Sequence, residues 1–377
     1  MAAATVIGAL RRFLPEFLRE HPAPDRARLR AIWAITRCRT AAMGGHLHAC
    51  PDCGAAAFAY HSCNHRACPQ CGKADTAAWV GRELEKRAGS PYFMVTFTLP
   101  EELRPLFSGP DPKMAFDLFF AAASGALAAT LANPRWLGAQ TGGFTMVLHT
   151  WNQRLLFHPH IHAIVPGAGI DARGGVVQVK SPGFLVPQPV LRRAFRQEFR
   201  RLLEAGAAPP FAPPDPAVWA KDWGVHIQPF GDGANAIKYL GAYVCRTAIS
   251  DSRILAAGPE NVTFSWTDRA RGNARRAETL PGAEFVRRYM RHVLPNGMRS
   301  IRRYGFCHPA AKAARQRVAF HTGRPLLLDR KPPAPPPPPP PRPCPCCGSP
   351  MTSVMRMPPA WNTGRAPPAI RPATRCA

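Results

Sequence analysis

Phe157-His158-Pro159-His160-Ile161-His162-Ala163-Ile164-Val165 is an apolar run punctuated by three histidines. Read as an extended strand, its period of two sends His160 and His162 to one face and Ile161 and Ala163 to the other. Two imidazoles converging on one spot suit a divalent metal ion. A His-x-His pair alone is more often incidental, so its weight depends on what the rest of the chain brings near it. Phe144 to His149 reads as another strand and a polar turn follows at Asn152-Gln153, so the two strands pair most easily as an antiparallel hairpin. Tyr92 to Leu99 alternates β-branched and aromatic residues, and Val176 to Lys180, Val225 to Phe230 and Asn261 to Trp266 are strand-like as well. Helical patterns lie between them at Leu191 to Leu203 and Glu284 to Leu294. The expected fold class is α+β, an antiparallel sheet with flanking helices, preceded by a small metal-binding domain.

From Gly233 to Ser250 the period is helical, with Ile237, Leu240, Val244 and Ala248 forming the stripe to be buried. Tyr239, Tyr243 and Arg246 fall on roughly the opposite side, where two phenols and a guanidinium face something other than that helix's own core. A tyrosine pair at this spacing is by itself usually packing or surface. Joined to the histidine strand it becomes one hypothesis: a cation that polarises a phosphodiester beside a phenol that attacks it. His158 is taken as the third ligand beside His160 and His162, with Gln153 and His149 open as alternatives. Pro159 stiffens that strand end and makes His158 the ring most apt to diverge.

The charge supports a nucleic-acid partner. Among 377 residues, 49 Lys and Arg face 23 acidic residues, a formal net charge of +26, and such an excess calls for a polyanion. Lys238 and Arg246 flank the tyrosines and are placed to offset phosphate charge. Arg302 and Arg303, just before Tyr304-Gly305-Phe306, suit single-stranded DNA through phosphate contact and base stacking, although any single Arg is as readily part of a solvated basic face. Met1 to Leu10 has no basic leader and runs into Arg11-Arg12, while Val6, Leu10, Phe13, Phe17 and Leu18 fit one helical face. Met114 to Ala132 is mostly Ala and carries Asp117, so it reads as a buried helix and no membrane partner is expected. The expected location is the cytoplasm, where twelve cysteines serve as thiolate ligands rather than disulfides.

Cys50-x-x-Cys53 and Cys68-x-x-Cys71, separated by fourteen residues, have close to the spacing of one four-cysteine zinc site. Cys38, Cys63 and His65 are left over for a second ion. Pro332 to Pro343 is almost pure proline and reads as a polyproline II spacer. Beyond it, Cys344-Pro345-Cys346-Cys347-Gly348 looks like half a zinc knuckle whose second pair is missing, since only Cys376 follows. The expected division is residues 1–85 as N-terminal helix and zinc-binding domain, 86–325 as catalytic domain, and 326–377 as a proline-rich, disordered tail.

Several segments carry a family resemblance: Cys63 to Cys71 (CNHRACPQC), Phe93 to Pro100 (FMVTFTLP), His149 to Val165 (HTWNQRLLFHPHIHAIV), Lys238 to Ser250 (KYLGAYVCRTAIS) and Glu284 to Phe306 (EFVRRYMRHVLPNGMRSIRRYGF). In that order they resemble the insertion-sequence 91 transposases, two-tyrosine members of the HUH endonucleases that move DNA by a rolling-circle route. The resemblance implies an HUH nuclease core behind an N-terminal zinc-binding domain. It implies single-stranded element ends and target DNA as partners, Mg²⁺ or Mn²⁺ at His160, His162 and His158, structural zinc at the cysteines, and a 5′-phosphotyrosine formed by Tyr239 or Tyr243. The family has a histidine immediately before its Cys-Pro-x-Cys knuckle where this chain has Ala67, so either His65 replaces it or that position binds no metal. Rival readings are a non-catalytic zinc protein that binds nucleic acid, and a replication initiator or relaxase with the same chemistry. Which tyrosine acts first, how many zinc ions bind and the oligomeric state stay open at this level.

Overall fold

The structure is a computed structural model that describes residues 4–71, 75–109, 111–206, 214–244, 247–324 and 340–359; for residues 75 and 242–244 it describes the backbone. Helices α1 (Val6–Glu20) and α2 (Arg26–Arg37) lead into the hairpin β1 (Gly45–Ala49) and β2 (Ala56–Tyr60), then α3 (Asp75–Glu85). The centre of the chain supplies β3 (Tyr92–Thr98), α4 (Pro112–Ala132), β4 (Thr141–Trp151), β5 (Phe157–Pro166), β6 (Ala168–Ile170), β7 (Val176–Gln178), α5 (Gln188–Ala205), β8 (Gly224–Pro229) and α6 (Ala234–Val244). There follow β9 (Ile254–Ala257), β10 (Asn261–Asp268), β11 (Ala274–Pro281), α7 (Gly282–Met290), β12 (Ile301–Gly305), α8 (Lys312–His321) and β13 (Thr352–Met357).

The central sheet runs β7-β6-β4-β5-β3-β8, with β12 also on β4, and each of these pairings is antiparallel. The fold is therefore α+β, as the strand and helix patterns predict. One face of the sheet is apolar: Phe93, Val95 and Phe97 of β3, Phe144, Met146 and Leu148 of β4, and Ile161, Ala163 and Val165 of β5 pack against Phe119 and Phe120 of α4 and Phe195 and Phe199 of α5. These are the odd members of the β5 alternation and the faces that a period of two assigns to the core. Helix α4 is long and apolar enough to span a bilayer by composition, but its phenylalanines lie in this core, as the buried reading of Met114 to Ala132 anticipates.

The opposite face is divided. Tyr92, Met94, Val147 and Ile164 carry α6 through Ala236, Ile237 and Leu240, with Trp79 of α3 behind it. Helix α3 packs against α6 on this side of the sheet. Gly233 lets the chain enter α6: its φ is +80°, and a Cβ there would lie 2.4 Å from the ring of Tyr92. Helix α1 packs on α7, with Phe13, Leu14 and Phe17 beside Phe285, Val286 and Tyr289 and against Val262 and Phe264 of β10, so the first helix is core to a segment far along the chain. Residues 342–357, placed in a disordered tail by composition, instead carry strand β13, which pairs with β1. Residues 326–339 and 360–377 of that tail lie outside the described residues.

Ion pairs tie these units. Glu278 of β11 takes Arg154 at 2.8 Å and Arg288 at 2.9 Å, and Glu284 takes Arg287 and Arg288, so the hairpin loop, β11 and α7 share one network. His292, just past α7, receives Thr150 Oγ1 at Nδ1 (3.2 Å) and donates from Nε2 to the Leu155 carbonyl (3.1 Å), clamping the β4–β5 turn. Burial pushes this imidazole down to about 4. In the unfolded chain it titrates near 6.5, so the unfolded state takes up the proton first and stability falls as pH drops from about 6.5 to about 4. A His292→Gln variant should flatten the pH dependence of urea unfolding in that window by up to about 1.4 kcal/mol per pH unit. Parallel profiles for the variant and the native chain would refute the assignment.

Candidate active site and metal centres

His149 on β4 and His160 and His162 on β5 present ligand atoms that all lie within 4.8 Å of one another. The strand alternation delivers His160 and His162 together, as the period of two predicts. His149 arrives through register. It sits opposite His160, whereas nearer the loop Trp151 is opposite Phe157, so two residues of β4 span three of β5. Carried onward without that shift, the loop-side register would set His149 against Pro159. A proline has no N–H to give the ladder, so an irregularity here is where one is expected.

The ring nitrogens are held by a surrounding shell. His160 Nδ1 donates to the His158 carbonyl at 2.8 Å, and His162 Nδ1 lies 2.9 Å from Thr96 Oγ1. In both, the tautomer with hydrogen on Nδ1 leaves the Nε2 lone pair for a cation, the arrangement that orients histidine ligands. Burial lowers all three: it takes His149 well below the usual imidazole range, His160 to about 4 and His162 to about 3, with neighbouring imidazoles adding to the effect at His149 and His162. At neutral pH they are uncharged, the form that ligates. Three neutral imidazoles with inward lone pairs fit a divalent ion, and three protein ligands leave positions for a substrate oxygen.

His158 does not join them. Its Nδ1 lies 3.3 Å from Arg104 Nη2, and the ring that converges with His160 and His162 is His149, one of the alternatives the sequence left open. Tyr239 does reach the site: its ring stands perpendicular to His162 with centroids 6.5 Å apart. The α6 stripe of Ile237 and Leu240 is buried on the sheet, which turns Tyr239 toward the histidine face. Helix α6 carries Tyr243 one turn on, but the side chain of Tyr243 and all of Arg246 lie outside the described residues. Lys238 is exposed on the same helix.

Histidines and Tyr239 border a cleft of about 790 Å³ whose far wall is the β9–β11 unit, with Arg253, Trp266 and Arg269. Trp151 stacks on His149 with centroids 5.6 Å apart, and Arg154 lies over Trp266 at 5.5 Å. The wall residues are invisible to local pattern, although Thr96 and Thr98, polar positions on the histidine face of β3, carried a signal. Arg302 and Arg303, expected on DNA, are strand residues that point to opposite faces of the sheet. Arg302 pairs with Asp117 and lies over Phe120 at 4.1 Å, and Arg303 pairs with Glu83 at 2.6 Å. They bind the β12 edge to α4 and α3.

The cysteines also regroup. Cys38, Cys63, Cys68 and Cys71 converge, with Cys71 Sγ at 3.5 Å from Cys38 and 3.6 Å from Cys63. Cys50 and Cys53 do not join Cys68 and Cys71. They occupy the tip of the β1–β2 hairpin, whereas Cys38 precedes β1 and Cys63 follows β2 at its open end, and five residues of strand span about 17 Å. His65 stays out of the cluster; its Nδ1 accepts the Ala67 amide at 3.2 Å. Four thiols complete the set, so the family's histidine position is not needed. Burial pushes Cys63 up to about 12 and raises Cys68 too, so these thiols would ionise with the charge that a bound zinc ion would supply.

Comparison with known proteins finds two matching families along the chain. Residues 9–99 match the family described as "Transposase zinc-binding domain" and residues 143–315 the family described as "Putative transposase". The chain is 34% identical over 321 residues to the putative transposase y4qJ of Sinorhizobium fredii, covering 80% of this chain and 79% of the relative. The chain belongs to the insertion-sequence 91 family of transposases. A second relative, the transposase for insertion sequence element IS801 of Pseudomonas savastanoi pv. phaseolicola, is 28% identical over 294 residues, 73% of this chain and 69% of the relative. No solved structure matches. In this transposase His149→Ala should abolish tight Mn²⁺ binding measured by calorimetry, and His158→Ala should leave it near native. Thr96→Val should weaken it roughly 10- to 100-fold. Loss with His158→Ala and retention with His149→Ala would reverse the ligand assignment.

Proposed function

We propose that this transposase cuts and rejoins single-stranded DNA through a tyrosine ester, with Tyr239 as attacking residue and His149, His160 and His162 as the seat of Mg²⁺ or Mn²⁺. The observation that carries the reading is the 6.5 Å approach of the Tyr239 ring to His162 within a ligand triad, in a cleft lined by arginine and tryptophan. A bound cation supplies Lewis-acid polarisation of a non-bridging oxygen on the scissile phosphate. Phenols titrate near pH 10 and attack phosphorus poorly unless the electrophile is strengthened. Tyr239 Oη gives up its proton and bonds to phosphorus as the bond to the 3′ oxygen breaks, leaving a 5′-phosphotyrosine and a 3′ oxyanion that takes up a proton to become the 3′-hydroxyl. Reversal by a 3′-hydroxyl reseals a strand without ATP, because the ester keeps the energy of the broken bond.

Tyr243, one helical turn on, serves as the second ester site, so that donor and target ends are held together in a rolling-circle exchange. Lys238, exposed on α6, offsets phosphate charge, and Arg246 takes the same role in this reading from its place in the sequence. Trp151 and Trp266 offer stacking surfaces, and Arg154 and Arg269 line the path of the backbone. A zinc protein that only binds nucleic acid leaves the triad and the adjoining phenol without a purpose, which favours the catalytic reading.

A labelled single-stranded oligonucleotide carrying the element's end, incubated with the native chain and Mn²⁺, should yield a protein–DNA adduct that survives denaturing electrophoresis. EDTA and the Tyr239→Phe/Tyr243→Phe double variant should give none. An adduct of equal yield from the double variant would defeat the proposal, and so would its absence from the native chain with the element's own end.

A further inference from the structure

The cysteines at the far end of the chain have no place in the chemistry above and lie outside both matched segments, 9–99 and 143–315. In the fold they meet the knuckle at the tip of the β1–β2 hairpin. Ligand atoms of Cys50, Cys53, Cys344 and Cys347 all lie within 4.8 Å of one another. The Sγ separations are 3.5 Å for Cys50 and Cys347, 3.6 Å for Cys53 and Cys344, and 3.6 Å for Cys53 and Cys347. A disulfide needs about 2.05 Å. Sulfurs about 2.3 Å from a tetrahedral zinc ion stand about 3.8 Å apart. The observed spacing is close to that edge.

The two half-sites are the same structure built twice. In the first, Cys50 N donates to Ala55 O (2.8 Å), Gly54 N donates to Cys50 O (3.1 Å), and Gly54 has φ +71°. In the second, Cys344 N donates to Ser349 O (2.8 Å), Gly348 N donates to Cys344 O (3.0 Å), and Gly348 has φ +77°. Each pair of thiols is thus presented by an identical turn closed by a left-handed glycine, and the turns face each other. What surrounds them is too small to hold them together unaided. The local apolar cluster is Cys50, Ala55, Cys344 and Met351, with Ala57 at its edge. A unit of this size needs a metal or a covalent staple to be stable.

We propose that Cys50, Cys53, Cys344 and Cys347 bind a second zinc ion, separate from that of Cys38, Cys63, Cys68 and Cys71, which clasps the C-terminal segment to the N-terminal hairpin. The clasp positions β13 on β1, where Gly45 pairs with Met357 and Ala49 with Thr352, and makes a three-stranded sheet from an N-terminal hairpin and a strand near the far end of the described chain. It also anchors the far end of the proline-rich stretch, whose near end follows α8. There Thr322 Oγ1 accepts the Gly89 amide at 2.9 Å.

The test is zinc content by mass spectrometry on the full chain purified under reducing conditions. The native chain should hold two zinc ions and Cys344→Ser/Cys347→Ser one. The same pair of proteins, given a protease site between Lys331 and Pro332, reports on the clasp: after cleavage the C-terminal piece should co-elute with the rest of the native chain and separate from the variant. A single zinc in the native chain, two in the variant, or a piece that leaves the native chain without a chelator would each overturn the proposal.

Discussion

Three imidazoles stand with ring centroids 4.8 to 5.2 Å apart on the face of one sheet, and this crowding is tolerable only while all three are uncharged. Two protonated rings at that distance, away from bulk water, would repel strongly. Burial keeps the rings neutral, and the carbonyl of residue 158 and the hydroxyl of Thr96 fix how two of them face. Much of the architecture around them serves this arrangement. The strands carrying them are the centre of the sheet, and β3 and β4 hold β5 on both sides, so neither His160 nor His162 lies on a free edge.

The two faces of that sheet do different work. One is packed with phenylalanine against α4 and α5 and supplies the rigidity that a preorganised site needs. The other is apolar only toward one end, where Met94, Val147 and Ile164 seat α6. The polar remainder becomes the floor of the cleft. Along β5 the change from Ile164 to His162 is the change from seat to floor, a single step of two residues. This is how a helix carrying a phenol comes to lie beside the three histidines.

The excess of positive charge is only partly available to a polyanion. Many arginines are spent inside the protein: Arg154 and Arg288 on Glu278, Arg302 on Asp117, Arg303 on Glu83. These pairs join elements distant in sequence. Exposed ion pairs contribute little individually, but Glu278, among the less exposed acids, receives two guanidiniums at once and links the cleft's far wall to the histidine hairpin. Composition therefore overstates the surface left for DNA.

Local periodicity was legible without coordinates because a strand's two-residue repeat and a helix's 3.6-residue repeat are properties of the backbone itself. From it follow the shared face of His160 and His162, the buried stripe of Ile237 and Leu240 that turns Tyr239 outward, and the buried helix α4. Strand β11 escaped because Ala274–Pro281 is a charged, exposed edge with no alternation to read. Partnership across the chain was decided elsewhere. A one-residue shift near Pro159 brought His149 opposite His160, the length of a five-residue hairpin kept Cys50 from Cys68, and a return of the chain after hundreds of residues brought a second cysteine pair to Cys50 and Cys53. Register, strand length and packing are set by contacts between distant segments, and no window of sequence contains both sides of such a contact.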